Sequence, residues 1–343
     1  MKKKLIDVIY RIIEILPPRI AEKIKIIGCV IWGDWYFVMR HPEISWKKFD
    51  HCSAERINEV YKDLPDDEIK LILRYVQLTE QFSYFPYPEN GMLLNYRNIM
   101  GNEYSEYLQI QKEMFSEVKK MKLKFPGKLV QKSEEIMYFH HGLRFLDEKV
   151  KEYMKGKIFI DAGAFNGDSA LILSKLYSPG KICSFEPSEM NRRRYINFMK
   201  KNHIAASSYT LYPWGLGAKE DKIYFYDSGS NSCSLQDSDT ENEGDMNSIE
   251  IKSIDQLFLN SSDKIGLIKA DVEGMGLDLV KGATEIIKRD LPVLSLSIYH
   301  NEDELLGIYS YLKSMNLEYE YHVRVLSCKY CFVELTLIAF PKK

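Results

Sequence analysis

From Gly156 onward, short apolar runs that end in acids alternate with helical segments. Lys157-Ile-Phe-Ile-Asp161 reads as a strand closed by a carboxylate, followed by a glycine-containing turn and a helix over about 168–177. Lys181-Ile-Cys-Ser-Phe-Glu186 repeats the pattern, with a helix over about 188–202 behind it. This alternation implies βαβ units and a mainly parallel sheet, so the fold class is α/β. Further strands are expected over 222–226, 249–252, 265–271, 292–299 and 332–340. Asp271 is then a third acid at a strand end. In open parallel sheets ligands sit beyond the carboxyl ends of the strands, near the point where strand order reverses.

The first turn, Asp161-Ala-Gly163-Ala-Phe-Asn-Gly167-Asp168-Ser169, limits what that ligand can be. A dinucleotide fingerprint needs G-x-G-x-x-G. Counted from Gly163, its next two glycine slots hold Phe165 and Asp168. An acid at the end of the first strand also opposes a pyrophosphate. It suits a cationic cofactor, and S-adenosylmethionine carries a sulfonium and an ammonium. The glycines let backbone approach the ligand closely. Glu186, at the end of the next strand, is placed to accept hydrogen bonds from ribose hydroxyls, as the acid does in dinucleotide folds.

These residues bring the chain to a family. It resembles the FkbM-type methyltransferases, a branch of the class I S-adenosylmethionine enzymes. The stretches that carry the resemblance are Phe139-His-His-Gly-Leu143, Phe159-Ile-Asp-Ala-Gly-Ala-Phe-Asn-Gly-Asp-Ser-Ala170, Ser184-Phe-Glu-Pro187, Gly215-Leu-Gly217, Gly229-Ser-Asn-Ser232, Ile268-Lys-Ala-Asp-Val-Glu-Gly274, Lys281-Gly-Ala283 and Ser297-Ile-Tyr-His300. The resemblance implies a Rossmann-like, seven-stranded, mostly parallel sheet over 131–343, and methyl transfer to a hydroxyl. A helical region over 1–130 would select the acceptor or dock a partner. Carried over, Asp161, Gly163, Ala164, Phe165, Gly167, Asp168, Ser169, Glu186, Pro187, Gly215 and Asp271 surround the cofactor. Three departures concern the acceptor side: Gly276 stands where an acid is common, Arg324-Val325 where Arg-His is common, and Glu334-Leu335 where Glu-Thr is common.

An alcohol must lose its proton as it is methylated, and a positioned base adds about 10²–10⁴-fold. His300, Asp271 and Glu273 are the catalytic candidates, with His300 best matched to neutral pH. The same three could hold Mg²⁺ or Mn²⁺, although their spacing does not require a metal. His140 and His141 contact cofactor or acceptor, or else pack and cap. Ser230, Ser232 and Tyr299 are placed with the acceptor, and the polar segment around 227–247 could close over the site. Tyr84, Phe85 and Tyr87 form an aromatic loop suited to packing or to stacking on a sugar.

With 47 basic and 49 acidic residues, the chain is no global polycation, and nucleic acid is not an expected partner. The six cysteines, Cys29, Cys52, Cys183, Cys233, Cys328 and Cys331, form neither a disulfide framework nor a paired zinc pattern, which fits a reducing cytoplasm. Lys2 to Lys4 precede an amphipathic stretch, Leu5 to Leu16, that is too short to span a bilayer. It reads as a helix docked on the body or lying on an anionic membrane through residues 1–18. The functional expectation is O-methylation of a sugar hydroxyl in a bacterial glycan or glycolipid. Methylation of a polyketide-like small molecule and a non-catalytic cofactor-binding scaffold are the alternatives.

Overall fold

The computed structural model describes residues 35–38, 49, 52–83, 92–95, 104–125, 133–226, 246–327 and 334–342. The expected N-terminal amphipathic helix, the aromatic loop at 84–87, the serines at 230 and 232, and Cys29, Cys233, Cys328 and Cys331 lie outside these residues. The chain divides into two compact units. One comprises residues 1–45 and 83–109, and there Trp35–Val38 (β1) pairs antiparallel with Met92–Asn95 (β2). The other comprises residues 46–82 and 110–343 and holds the site.

The second unit is built on the seven-stranded sheet that the resemblance implied. Its strands are Ile158–Ala162 (β3), Lys181–Phe185 (β4), Tyr209–Tyr212 (β5), Ile265–Ala270 (β9), Val293–Ser297 (β10), Tyr319–Val325 (β11) and Leu335–Pro341 (β12). Gly215–Leu216 (β6), Asp221–Tyr226 (β7) and Met246–Lys252 (β8) form a separate small sheet in the order β6-β8-β7. In the large sheet the order is β11-β12-β10-β9-β3-β4-β5. The run from β10 to β5 is parallel, whereas β12 is antiparallel to β10 and β11 to β12. Chain order therefore reverses at β3, between β9 and β4, which puts the switch point at the Asp161–Gly163 turn.

Apolar side chains on both faces of the sheet explain the near-continuous hydrophobic strands. Ile158, Ile160 and Ala162 of β3 join one core cluster, and Phe159 joins the other. The helices Ala54–Val60, with its C-cap Tyr61, and Asp66–Ser83 add Ile57, Tyr61, Ile72 and Tyr75 to the first cluster. Ser53 caps the first of these helices by accepting from the Arg56 amide. Glu68, 4% exposed, fastens the second to β11. It meets His322 at 2.9 Å and Arg324 at 2.6 Å, and it accepts from the Val323 amide at 2.7 Å. Arg324, the member of the Arg-His pair that this chain retains, is thus spent on helix docking. Among the described residues no helix is long and apolar enough to cross a membrane.

Candidate active site

The turn after β3 is shaped by close backbone approach. Gly163 has φ +72°, and a Cβ there would sit 1.8 Å from the carbonyl oxygen of Asp271. The amides of Gly163 and Ala164 both donate to the carbonyl of Phe185. Gly167 (φ +88°) precedes the helix Asp168–Leu176 and packs against the ring of Tyr195. Asp161 does not reach the ligand space. It is fully buried, accepts from Ser184 Oγ at 3.2 Å and pairs with Lys269 at 3.3 Å. Lys269 is its direct cross-strand neighbour on β9 and also donates to the carbonyls of Ala162 and Gly163. Burial opposes the ammonium charge, but Asp161, Asp271 and Glu135 outweigh it and hold Lys269 protonated.

Beyond the strand ends lies a cavity of ≈ 410 Å³, within the range of small-molecule sites. Gly163, Phe165, Asp168, Ser169, Glu186, Pro187, Gly215 and Asp271 of the expected cofactor set line it, as do His141, Tyr299 and Glu273. Ala164 and Gly167 lie behind this wall and support the turn. Glu186 is locked in place. Its Oε2 accepts from the Phe165 amide at 2.9 Å and its Oε1 from the Ser188 amide at 2.8 Å. Burial raises its pKa against those hydrogen bonds. Burial also pushes Asp168 up to about 6.

His140 turns away from the cavity. Its Nδ1 meets the Tyr177 hydroxyl at 2.9 Å, and burial lowers its pKa to about 4. Packing is the reading that the structure supports for it.

His300 departs most from expectation. It lies behind Asp271, with Nε2 at 3.2 Å from Asp271 and 3.8 Å from Glu273, and Nδ1 at 2.7 Å from Glu304. Burial disfavours the charged ring, but the carboxylates prevail and raise its pKa to about 10. An imidazolium cannot take a proton, so a ring held charged between these carboxylates is poorly suited to be the base. Instead it anchors Asp271. Burial would raise the Asp271 pKa, yet His300 and Lys269 hold it well below the usual carboxylate range. Glu304 also accepts from the Gly276 amide at 2.9 Å, and a Cβ at Gly276 would meet its Oε1 at 2.8 Å. The space that an acid at 276 would enter is filled by Glu304.

Three charged lining residues were not anticipated as site residues: Glu135, Glu334 and Lys269. Oxygens of Glu135, Asp271 and Glu334 come within 4.8 Å of one another. Burial, and then the neighbouring Glu135 and Asp271, push the Glu334 pKa far up, so its carboxyl is neutral. This trio, rather than Asp271, Glu273 and His300, is where carboxylates converge. Lys269 had a sequence signal, because it is the one charge within the strand-like run Ile265–Ala270. The lining also has an apolar part, with Trp214, Ile223, Ile249, Ile251 and Met275. Strained backbone concentrates here too. His141 (φ 55°), Phe165 (44°), Glu273 (50°) and Glu334 (61°) are lining residues in the left-handed region that non-glycine residues avoid.

Residues 161–323 match the methyltransferase FkbM domain. No curated protein matches the sequence. Among solved structures the chain is similar to methyltransferase FkbM from Methylobacillus flagellatus KT, with 18% identity and a TM-score of 0.53. That alignment covers 83% of this chain and 58% of the other, so the chain spans less than two thirds of that protein's length. It also aligns with an rRNA methylase from Streptococcus thermophilus (11% identity, TM-score 0.39, 63% of this chain and 99% of that one). A third alignment is with precorrin-6y C5,15-methyltransferase from Geobacter metallireducens GS-15 (14%, 0.36, 65% and 95%).

Proposed function

We propose, from the match of residues 161–323 to the methyltransferase FkbM domain, that the chain transfers a methyl group from S-adenosylmethionine to a hydroxyl of a sugar in a bacterial glycan or glycolipid. The observation that carries the reading is the placement of Glu186. It stands at the end of β4, lines the cavity beside the Gly163 turn, and is fixed by two backbone amides with lone pairs left over. A carboxylate so held suits a ribose diol. The residues present fit the cofactor in charge as well, since Asp271 and Asp168 line the same cavity and favour a cationic group. When bound, the cofactor supplies an electrophilic methyl on sulfur. The chain supplies alignment, which is worth up to about 7–11 kcal/mol in well-oriented systems.

The sugar acceptor rests on the family resemblance. The apolar wall of Trp214, Ile223, Ile249 and Ile251 favours a second reading, in which the acceptor has a hydrocarbon body, as a polyketide-like molecule does. The helical region before the domain selects between such acceptors in this proposal.

Thermal unfolding with S-adenosylhomocysteine, with NAD as control, tests the cofactor. A ligand at ~100 times its Kd adds ~2.7 kcal/mol, a shift of several degrees. The shift should appear with the adenosyl ligand alone and vanish in Glu186→Ala. No shift at saturation would overturn the proposal. Labelled methyl transfer into extracted glycans, glycolipids and polyketides then separates the acceptors.

A further inference from the structure

With His300 held charged and Asp271 held well below the usual carboxylate range, neither is a ready acceptor for the hydroxyl proton. Among the described residues that line the cavity, two carry a buried side-chain atom with no hydrogen-bond partner: Oε2 of Glu334 and Nε2 of His141. Glu334 is a neutral carboxyl and is itself a donor. His141 differs. Its side chain is 2% exposed, and its Nδ1 lies 2.7 Å from Oε1 of Glu135. A carboxylate accepts only, so Nδ1 carries the proton and Nε2 presents a bare lone pair. Leaving such a buried acceptor unmet costs about 1–3 kcal/mol, which a donor brought by a ligand would recover.

The backbone holds this ring in place. His140, His141 and Gly142 form a run with φ of 50°, 55° and 83°, two of them without glycine's freedom. The His141 amide donates to the Glu135 carbonyl at 2.8 Å, and its own carbonyl accepts from Ser295 Oγ at 2.6 Å. Ring, partner and strained turn thus form one fixed unit. Asp168 and Asp271 also interact with it electrostatically.

We propose that His141 is the general base of the transfer, with Glu135 as its positioning residue; this rests on the methyl-transfer reading above. As the acceptor oxygen takes the methyl group, the C–O bond forms and the C–S bond breaks, its electron pair remaining on sulfur as a neutral thioether. The hydroxyl proton passes to Nε2, and the resulting imidazolium is balanced by Glu135. The group that carries the proton is therefore separate from the Asp271–His300 pair, whose charges are already matched.

The test uses the full chain with [15N]histidine and S-adenosylhomocysteine as probe. Two-bond 1H–15N spectra at about pH 8, where an ordinary imidazole is neutral, report the tautomer of each ring. For His141 the expected result is a protonated Nδ1 and a bare Nε2. Glu135→Ala should release that preference and populate the Nε2–H form, an effect that a merely structural carboxylate would not have. The same change identifies the His141 signals if His141→Gln does not fold. Where it folds, His141→Gln should bind S-adenosylhomocysteine within about threefold of wild type. A protonated Nε2 in the wild type overturns the assignment. So does a loss of affinity of about tenfold or more in His141→Gln, which would make the ring a cofactor ligand. Wild-type protein that fails to bind the probe brings down the methyl-transfer reading, and the base assignment with it. Binding accompanied by the wrong tautomer brings down the base assignment alone.

Discussion

Two glycines with nearly the same φ show what the site asks of a single residue. Gly163 (φ +72°) and Gly156 (φ +71°) both occupy the left-handed region, yet their surroundings differ. A Cβ at Gly156 meets nothing within 4 Å, whereas one at Gly163 would lie 1.8 Å from the Asp271 carbonyl oxygen. The Gly163 backbone cannot easily retreat. Its amide donates to Phe185 and its carbonyl accepts from Lys269. Gly156→Ala should therefore cost only the conformational penalty of about 1–2 kcal/mol. Gly163→Ala should cost that and about 1–3 kcal/mol more from overpacking, and should abolish binding of S-adenosylhomocysteine. Urea unfolding and calorimetric titration of both variants check this. Equal destabilisation with binding retained in both would refute the close-approach argument.

At the scale of elements, a buried charge pair joins two strands of the otherwise apolar sheet at its switch point. Asp161 of β3 and Lys269 of β9 are register partners, and their side chains are 0% and 4% exposed. Breaking a buried pair strands a charge and typically costs about 3–5 kcal/mol, while replacing both partners by apolar groups is often neutral. Lys269→Met should accordingly destabilise by about that amount, and Asp161→Leu in the same chain should restore most of it. Unfolding midpoints decide, and a single variant as stable as wild type would show that the pair is dispensable. The strands β3, β4, β9, β10 and β12 and the helices Asp168–Leu176 and Glu189–Lys201 were legible in the sequence because hydrophobic period is a local signal, whereas β5 and β11 were not among the expected strands. Asp271 and Glu186 were legible as cavity residues because an acid ending an apolar run is conspicuous. Glu135 and Glu334 were not, since only the tertiary fold brings together residues so far apart in the chain. Nor could the charge state of His300 be read. It depends on Glu304, which a π turn at Asp303–Gly307 swings back onto the ring.

For the whole molecule, these buried ion pairs set the pH range of stability. His300 has a folded pKa of about 10 against an ordinary value of 6.5. A raised pKa means that the folded state holds the proton more tightly than the unfolded chain does. Its contribution is therefore complete below about pH 6.5 and is lost as pH rises towards 10. His322 is raised in the same direction by Glu68 and Glu320, against some burial, and adds to the alkaline loss. Asp271 and Glu68 run the other way. Burial raises each, their cationic partners prevail, and their contributions fade as acid protonates them. Asp168 and Glu334, both raised by burial, are better tolerated protonated, so they also favour the acid side of neutral. The stability maximum should lie near pH 5–6.5, with wild-type Tm falling from there to pH 9.5. His300→Gln should start lower and fall less steeply, the two curves converging by an amount of order 1–3 kcal/mol. Glu304→Gln should end the decline at a lower pH, because the ring then releases its proton more readily. Parallel curves for wild type and His300→Gln across that window would mean that the ring is not charged in the folded protein. The proton of the reaction would then have a second possible acceptor beside His141.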